Sequence, residues 1–322
     1  MKMKSIHYAI AFLFINYFVI ILYSTPVYAL IKNNKASGKI SAVNIKKLIY
    51  ENPTLAIKYI KKSLKKHPKK PELYNYLGQS YGKLNENGKA ILCYKKAIKL
   101  NPKYLNAYNN LGLVYNKIHN FKKAYKIFLI LAKMNPKNPV YYNNIGFIEE
   151  ERNKNNKAIE FFNKAVRLNP FYTMSYLNLG SIYRKMGKNR QAAKEYNKSG
   201  LTYFRVGNYM QAINSFKLSI KLYPRYIYPY ENISNSYIKL GNIDKGVYYY
   251  ALSGNRYNSM QKYHSAIKEF NLALQYNPRY MPAIHGIMLS YQKLGNMQMV
   301  TRYMQEEIKL GGVGALLGGG LL

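Results

Sequence analysis

Asparagine is the residue whose spacing in this chain carries chemistry. Asn75, Asn109 and Asn143 stand 34 residues apart, Asn110, Asn144 and Asn178 repeat the interval one place later, and Asn232 follows 54 residues on. An amide side chain both donates and accepts, so a row of them on one face can bind a peptide main chain largely independently of its sequence. Tyr76 interrupts the second series at its start. Lysines recur alongside, at Lys83, Lys117, Lys185, Lys239 and Lys293, with Glu151 as the exception.

Residues for covalent or acid–base chemistry are scarce. The single cysteine, Cys93, has no internal disulfide partner and sits beside Tyr94, where it reads as a small buried hydrophobe. A catalytic thiol needs a base and an orienting partner, and the sequence proposes neither. His7, His67, His119, His264 and His285 never fall four apart and never pair with a cysteine, so the spacing of zinc ligands is missing and no metal or other cofactor is expected. Asp244 is the only aspartate, and Glu149, Glu150 and Glu151 form the one acidic cluster, which reads as a solvated helix face. Without a phosphate loop, a nucleophile elbow or a paired acid and base, the expectation is a protein that catalyses nothing.

The elements that must position the amides follow from a repeat. Pro68, Pro102, Pro136 and Pro170 are 34 apart, as are Ala56, Ala90, Ala124, Ala158 and Ala192. Self-similarity at that interval marks a helical solenoid. Leu77-Gly78 with Tyr81, Leu111-Gly112 with Tyr115, and Leu179-Gly180 with Tyr183 place apolar residues on one helix, and the glycine admits a second helix closely. That second helix carries Ala90, Ala124, Ala158 or Ala192, then Tyr94, Phe128, Phe162 or Tyr196 four residues on. Asn101-Pro102, Asn135-Pro136 and Asn169-Pro170 end it, because the residue before proline is biased away from helix. Pro224 and Pro278 then continue at steps of 54, one repeat plus about one helix.

The ordered set Tyr74, Leu77, Gly78, Tyr81, Ala90, Tyr94, Ala97 and Pro102 resembles the tetratricopeptide repeat unit, with Tyr where the family often has Trp. The resemblance implies an all-α, right-handed superhelical solenoid of antiparallel helix pairs. It divides residues 37–310 into 37–70 with a degenerate first helix, 71–104, 105–138, 139–172, 173–226, 227–280 and a weak capping unit 281–310. The two long units align, Gly200 with Gly254, Ala212 with Ala266 and Phe216 with Phe270, and each is expected to hold three helices. The middle one, near 189–206 or 243–260, reads as the second helix of one repeat and the first of the next. Such an extra helix reverses the face presented by those that follow and ends a continuous groove near Ala192; the alternative is a degenerate repeat without functional meaning.

In this family the first helices line a concave face, and asparagine at the sixth repeat position bonds an extended peptide. Here that position is Asn110, Asn144, Asn178 and Asn232, with Asn75, Asn109 and Asn143 one place earlier. The lysine series falls at the thirteenth position, near the rim. Amides on the floor and lysines at the rim suit an acidic or C-terminal segment of a partner protein. The pattern is similar to the asparagine ladder of long superhelical members. The chaperone-tail clamp fits less well, because its lysine and arginine are replaced by Val140 and Asn144, or by Met174 and Asn178.

Residues 1–29 form a different segment. Lys2 and Lys4 precede an apolar run from Tyr8 to Tyr23, and Val27-Tyr28-Ala29 suits signal peptidase, so a secretory leader cleaved after Ala29 is expected. The run is 16 residues, shorter than the ~20 that span a bilayer. Lys32, Lys35, Lys39, Lys46 and Lys47 downstream support the alternative, an uncleaved inner-membrane anchor over 8–23. Residues 30–36 form a linker, and the Gly/Leu-rich tail 311–322 reads as disordered.

Fifty basic residues oppose 13 acidic ones, a net charge of +37. Abundant Lys, Asn, Ile and Tyr suggest an AT-rich genome, which does not account for the shortage of acids. A surface this basic attracts anionic lipid, an acidic envelope polymer or, in the cytoplasm, nucleic acid, with affinity that falls as salt rises. Lys58, Lys61, Lys62, Lys65, Lys66 and Lys69 oppose an apolar stripe of Ile57, Ile60 and Leu64, which either docks on the next repeat or lies on a membrane. Tyr248-Tyr249-Tyr250 can stack on bases, although most tyrosines occupy packing positions. The sequence thus points to an exported protein-binding scaffold of a bacterial envelope, with a membrane-held electrostatic binder of nucleic acid, lipid or polymer as the alternative. Its oligomeric state is not legible.

Overall fold

A computed structural model describes residues 42–311. The leader, the linker and residues 312–322 of the tail lie outside the described residues. Among those described there are sixteen α-helices and no strand. The chain divides into two compact units, one through Asn120 and one from Phe121.

The first unit holds α1 (Ala42–Glu51), α2 (Pro53–Lys66), α3 (Pro71–Lys83), α4 (Asn87–Leu100) and α5 (Leu105–Lys117). Each helix packs on its successor, and α3 also packs on α5. Asn52 caps α2, its Oδ1 accepting from Leu55 N at 2.9 Å, with Pro53 at the first helical position. The apolar stripe of α2 is docked: Ile60 is fully buried in a core with Ile45, Ile49, Ala56, Leu73 and Leu77, while Ile57 and Leu64 pack at its edge. Its lysines 58, 61, 62, 65 and 66 are exposed.

The second unit holds α6 (Phe121–Met134), α7 (Pro139–Glu151), α8 (Asn155–Leu168), α9 (Thr173–Lys185), α10 (Asn189–Arg205), α11 (Tyr209–Leu222), α12 (Tyr228–Lys239), α13 (Ile243–Ser259), α14 (Tyr263–Tyr276), α15 (Met281–Lys293) and α16 (Met297–Lys309). Successive helices again pack on one another. Contacts between alternate helices identify the row of first helices: α7 meets α9, then α10 meets α12, then α13 meets α15.

Two kinds of turn alternate, and the sequence dictates both. After second helices the Asn of Asn-Pro leaves the helical region and folds its side chain back, so that Asn101, Asn169 and Asn277 accept from the amides of Lys103, Phe171 and Arg279 at 2.9–3.1 Å. After first helices one residue takes a left-handed conformation: Asn85, His119, Asn153, Gly187, Gly241 and Gly295. Gly207 after α10 and Gln261 after α13 do the same. Both long helices therefore end as first helices end.

Side-chain packing gives α10 the same double identity. A Cβ on Gly78, Gly146 or Gly180 would stand 2.6–3.0 Å from the ring sixteen residues ahead, Tyr94, Phe162 or Tyr196. On α10, Tyr196 is the ring beneath Gly180, and Gly200 in turn receives Phe216 of α11, whose ring a Cβ at that position would overlap. Gly254 of α13 receives Phe270 of α14 in the same way. So α10 lies between α9 and α11, second helix to the one and first helix to the other, and the row moves over by one helix at each three-helix unit.

Candidate protein-binding face

Within each unit, neighbouring first helices bring asparagines together in pairs. Asn75 on α3 is 2 % exposed, and its Oδ1 accepts from Asn110 Nδ2 on α5 at 2.9 Å. Asn143 on α7, also buried, accepts from Asn178 Nδ2 on α9 at 2.9 Å and from Ser175 Oγ at 2.9 Å. Asn197 on α10 is buried and accepts from Asn232 Nδ2 on α12 at 3.2 Å. In every pair the buried amide is the acceptor and the half-buried one the donor. Asn110, Asn178 and Asn232 thus keep a carbonyl oxygen and a second N–H for an outside partner, in an orientation set from below.

The seven asparagines singled out in the sequence lie at two depths. Asn75 and Asn143 lie beneath the surface with their oxygens already engaged, so they orient the exposed amides. Asn109 and Asn144 are half-buried, and Asn109 Oδ1 has no hydrogen-bond partner. Tyr76 is half-buried as well. Sequence reasoning missed Asn197, although a signal was present: it precedes Asn232 by 35 residues, as Asn75 precedes Asn110 and Asn143 precedes Asn178.

All five lysines of the rim series are exposed, in three different settings. Lys117 Nζ donates to Asn85 Oδ1 at 2.7 Å and reaches Gly82 O at 3.5 Å, clasping the turn after α3. Lys185 pairs with Glu150 of α7 in the corresponding way. Lys83 lies 4.1 Å from the Tyr50 ring centroid, and partial burial followed by repulsion from Lys117 pushes its pKa down. Lys239 and Lys293 pair with no carboxylate among the described residues.

The glutamate cluster departs from the expected solvated face. Glu149 is 2 % exposed, bonded to Arg152 Nη1 at 3.0 Å and 3.9 Å from Lys154 Nζ. Its neighbours supply the charge that water would otherwise supply. Cys93 packs half-buried at the edge of the first core, where burial pushes its thiol up to about 11. A thiol held protonated near neutral pH is a poor nucleophile. No three acidic, histidine or cysteine side chains among the described residues cluster as metal ligands would.

Family profiles recognise the repeats directly. One described as TPR repeat matches residues 83–118, and one described as tetratricopeptide repeat matches 139–172, 175–199 and 196–226. The chain carries tetratricopeptide repeats, and the last two matches overlap within α10, the helix that serves two repeats. No curated protein matches the chain. Among solved structures, MamA from Desulfovibrio magneticus RS-1, residue 41 to its end, is 23 % identical with a TM-score of 0.44, covering 48 % of this chain and 88 % of that one. YrrB, described as a TPR protein with an unusual peptide-binding site, is 18 % identical with a TM-score of 0.35, covering 70 % and 96 %. A tetratricopeptide repeat protein from Parabacteroides merdae is 16 % identical with a TM-score of 0.40, covering 77 % and 96 %.

Proposed function

We propose that this protein is a non-enzymatic scaffold that binds extended segments of other proteins on the first helices of each of its two units, exported to a bacterial envelope. Tetratricopeptide repeats generally serve as protein-interaction scaffolds, and the repeats found here support that reading. The observation that carries the finer proposal is the set of three amide pairs, each leaving one asparagine half-exposed with donor and acceptor capacity unspent. Peptide backbone offers the complementary groups at every residue. Exposed lysines along the same helices favour acidic segments.

Panning unstructured peptides against the protein and against the N110A/N178A/N232A variant tests the binding mode. The expected result is peptide capture by the wild type that persists at moderate salt and is lost in the variant, with helicity by circular dichroism unchanged. Capture that survives the triple change but vanishes with added salt would replace the groove by diffuse electrostatic binding. Export is tested in spheroplasts carrying the intact chain. Protease digestion of a product shortened after Ala29 supports it, whereas protection of a full-length chain places the solenoid on the cytoplasmic side.

A further inference from the structure

Arg225, in the turn between α11 and α12, and Arg256, in the last turn of α13, line a cavity of about 500 Å³ with Ser259 and Met260. Among the described residues neither arginine pairs with a carboxylate. Arg256 is half-buried, its guanidinium 5.9 Å from the Tyr230 ring centroid, and its Nε is buried with no hydrogen-bond partner. Ser259 Oγ donates to Arg256 O at 2.8 Å, so the hydroxyl fastens the helix end that carries the arginine.

Arg256 Nε is closed off from solvent, so an oxyanion entering the cavity meets the terminal Nη groups of the two arginines, which no carboxylate among the described residues neutralises. Guanidinium stays charged at any physiological pH and presents planar forks of donors that match carboxylate and phosphate oxygens two at a time. Charge decides between those two. Two permanent positive charges face one space, a carboxylate neutralises one of them, and a phosphate monoester at about −1.5 to −2 neutralises both. A cavity of this volume also holds part of the group that the phosphate esterifies.

We propose that this cavity is a phosphate-monoester site, with Arg225 and Arg256 gripping the oxygens and Met260 covering the apolar side. It lies apart from Asn110, Asn178 and Asn232 and does not depend on the peptide reading. The test is calorimetric titration of the full-length protein with phenyl phosphate at fixed ionic strength, since a chain of net charge +37 gathers any anion weakly. Inorganic phosphate and a phosphoserine peptide with its unphosphorylated twin form parallel arms that separate a free-ion site from one reading a modified side chain.

One saturable site is expected, weakened about tenfold or more by R225Q or R256Q, the loss that follows from removing a charged hydrogen-bond donor. R302Q on α16, which removes equal charge elsewhere, and N110A/N178A/N232A are expected to leave it unchanged. If R256Q fails to fold, R225Q at an exposed turn carries the comparison. Equal weakening by R302Q, or acetate competing as well as phosphate, overturns the proposal.

Discussion

Asn143 shows what a buried amide contributes to the half-buried one it orients. Its oxygen accepts from both Ser175 and Asn178, so Asn143→Ala strands a buried hydroxyl and frees the exposed amide to turn. Urea denaturation is expected to show a loss of about 1–3 kcal/mol, the cost of leaving buried donors unsatisfied. Glu269 gives a pH signature. Burial and then the Glu231 charge push its carboxyl from the ordinary 4.5 up to about 7. The folded chain therefore keeps a proton that the unfolded chain has released between those values, and stability falls as pH rises from about 4.5 to 7. Glu269→Gln is expected to flatten that slope in a series of melting curves. The spacing of the asparagines was legible in the sequence because it repeats with the helices. Their depth was not, since burial is decided by the neighbouring repeat, and Asn197 escaped notice because it lies on a helix whose frame belongs to two repeats.

At the scale of elements, close approach is tested by two glycines. Gly200 has the Phe216 ring 2.4 Å from where a Cβ would stand, whereas Gly88 near the start of α4 has nothing within 4 Å. Gly200→Ala is expected to cost about 1–3 kcal/mol through overpacking. Gly88→Ala is expected to gain up to ~0.5 kcal/mol from lower backbone entropy in the unfolded chain. Gln261, left-handed at φ 59° after α13, is expected to gain roughly 0.5–1 kcal/mol on change to glycine, read by the same denaturation. The helix pairs and both three-helix units were legible because Leu-Gly, Ala, aromatic and Pro recur at fixed offsets. The path of the first-helix row was not, because which alternate helices touch is a property of the stack.

For the whole molecule, 50 basic against 13 acidic residues make self-repulsion a standing load on the folded state. Raising sodium chloride from about 0.05 to 0.5 M shortens the Debye length several-fold. The midpoint of thermal unfolding is expected to rise across that range, in contrast to a chain held by surface ion pairs. Much of this charge sits on second helices, as with Lys95, Lys96 and Lys99 of α4 or Lys122, Lys123 and Lys126 of α6, all exposed.

A stack of independent repeats gives way one repeat at a time, because each leans only on its neighbours. The helix α10 removes that independence. It cannot melt as the second helix of one repeat while remaining the first helix of the next, and α13 binds its own neighbours in the same way. Pulled from its ends in a force-extension experiment, the region from Thr173 to Asn277 should lengthen in steps of 54 residues, the interval from Pro224 to Pro278, where plain repeats would release 34. A shared helix thus sets the size of the smallest mechanical event.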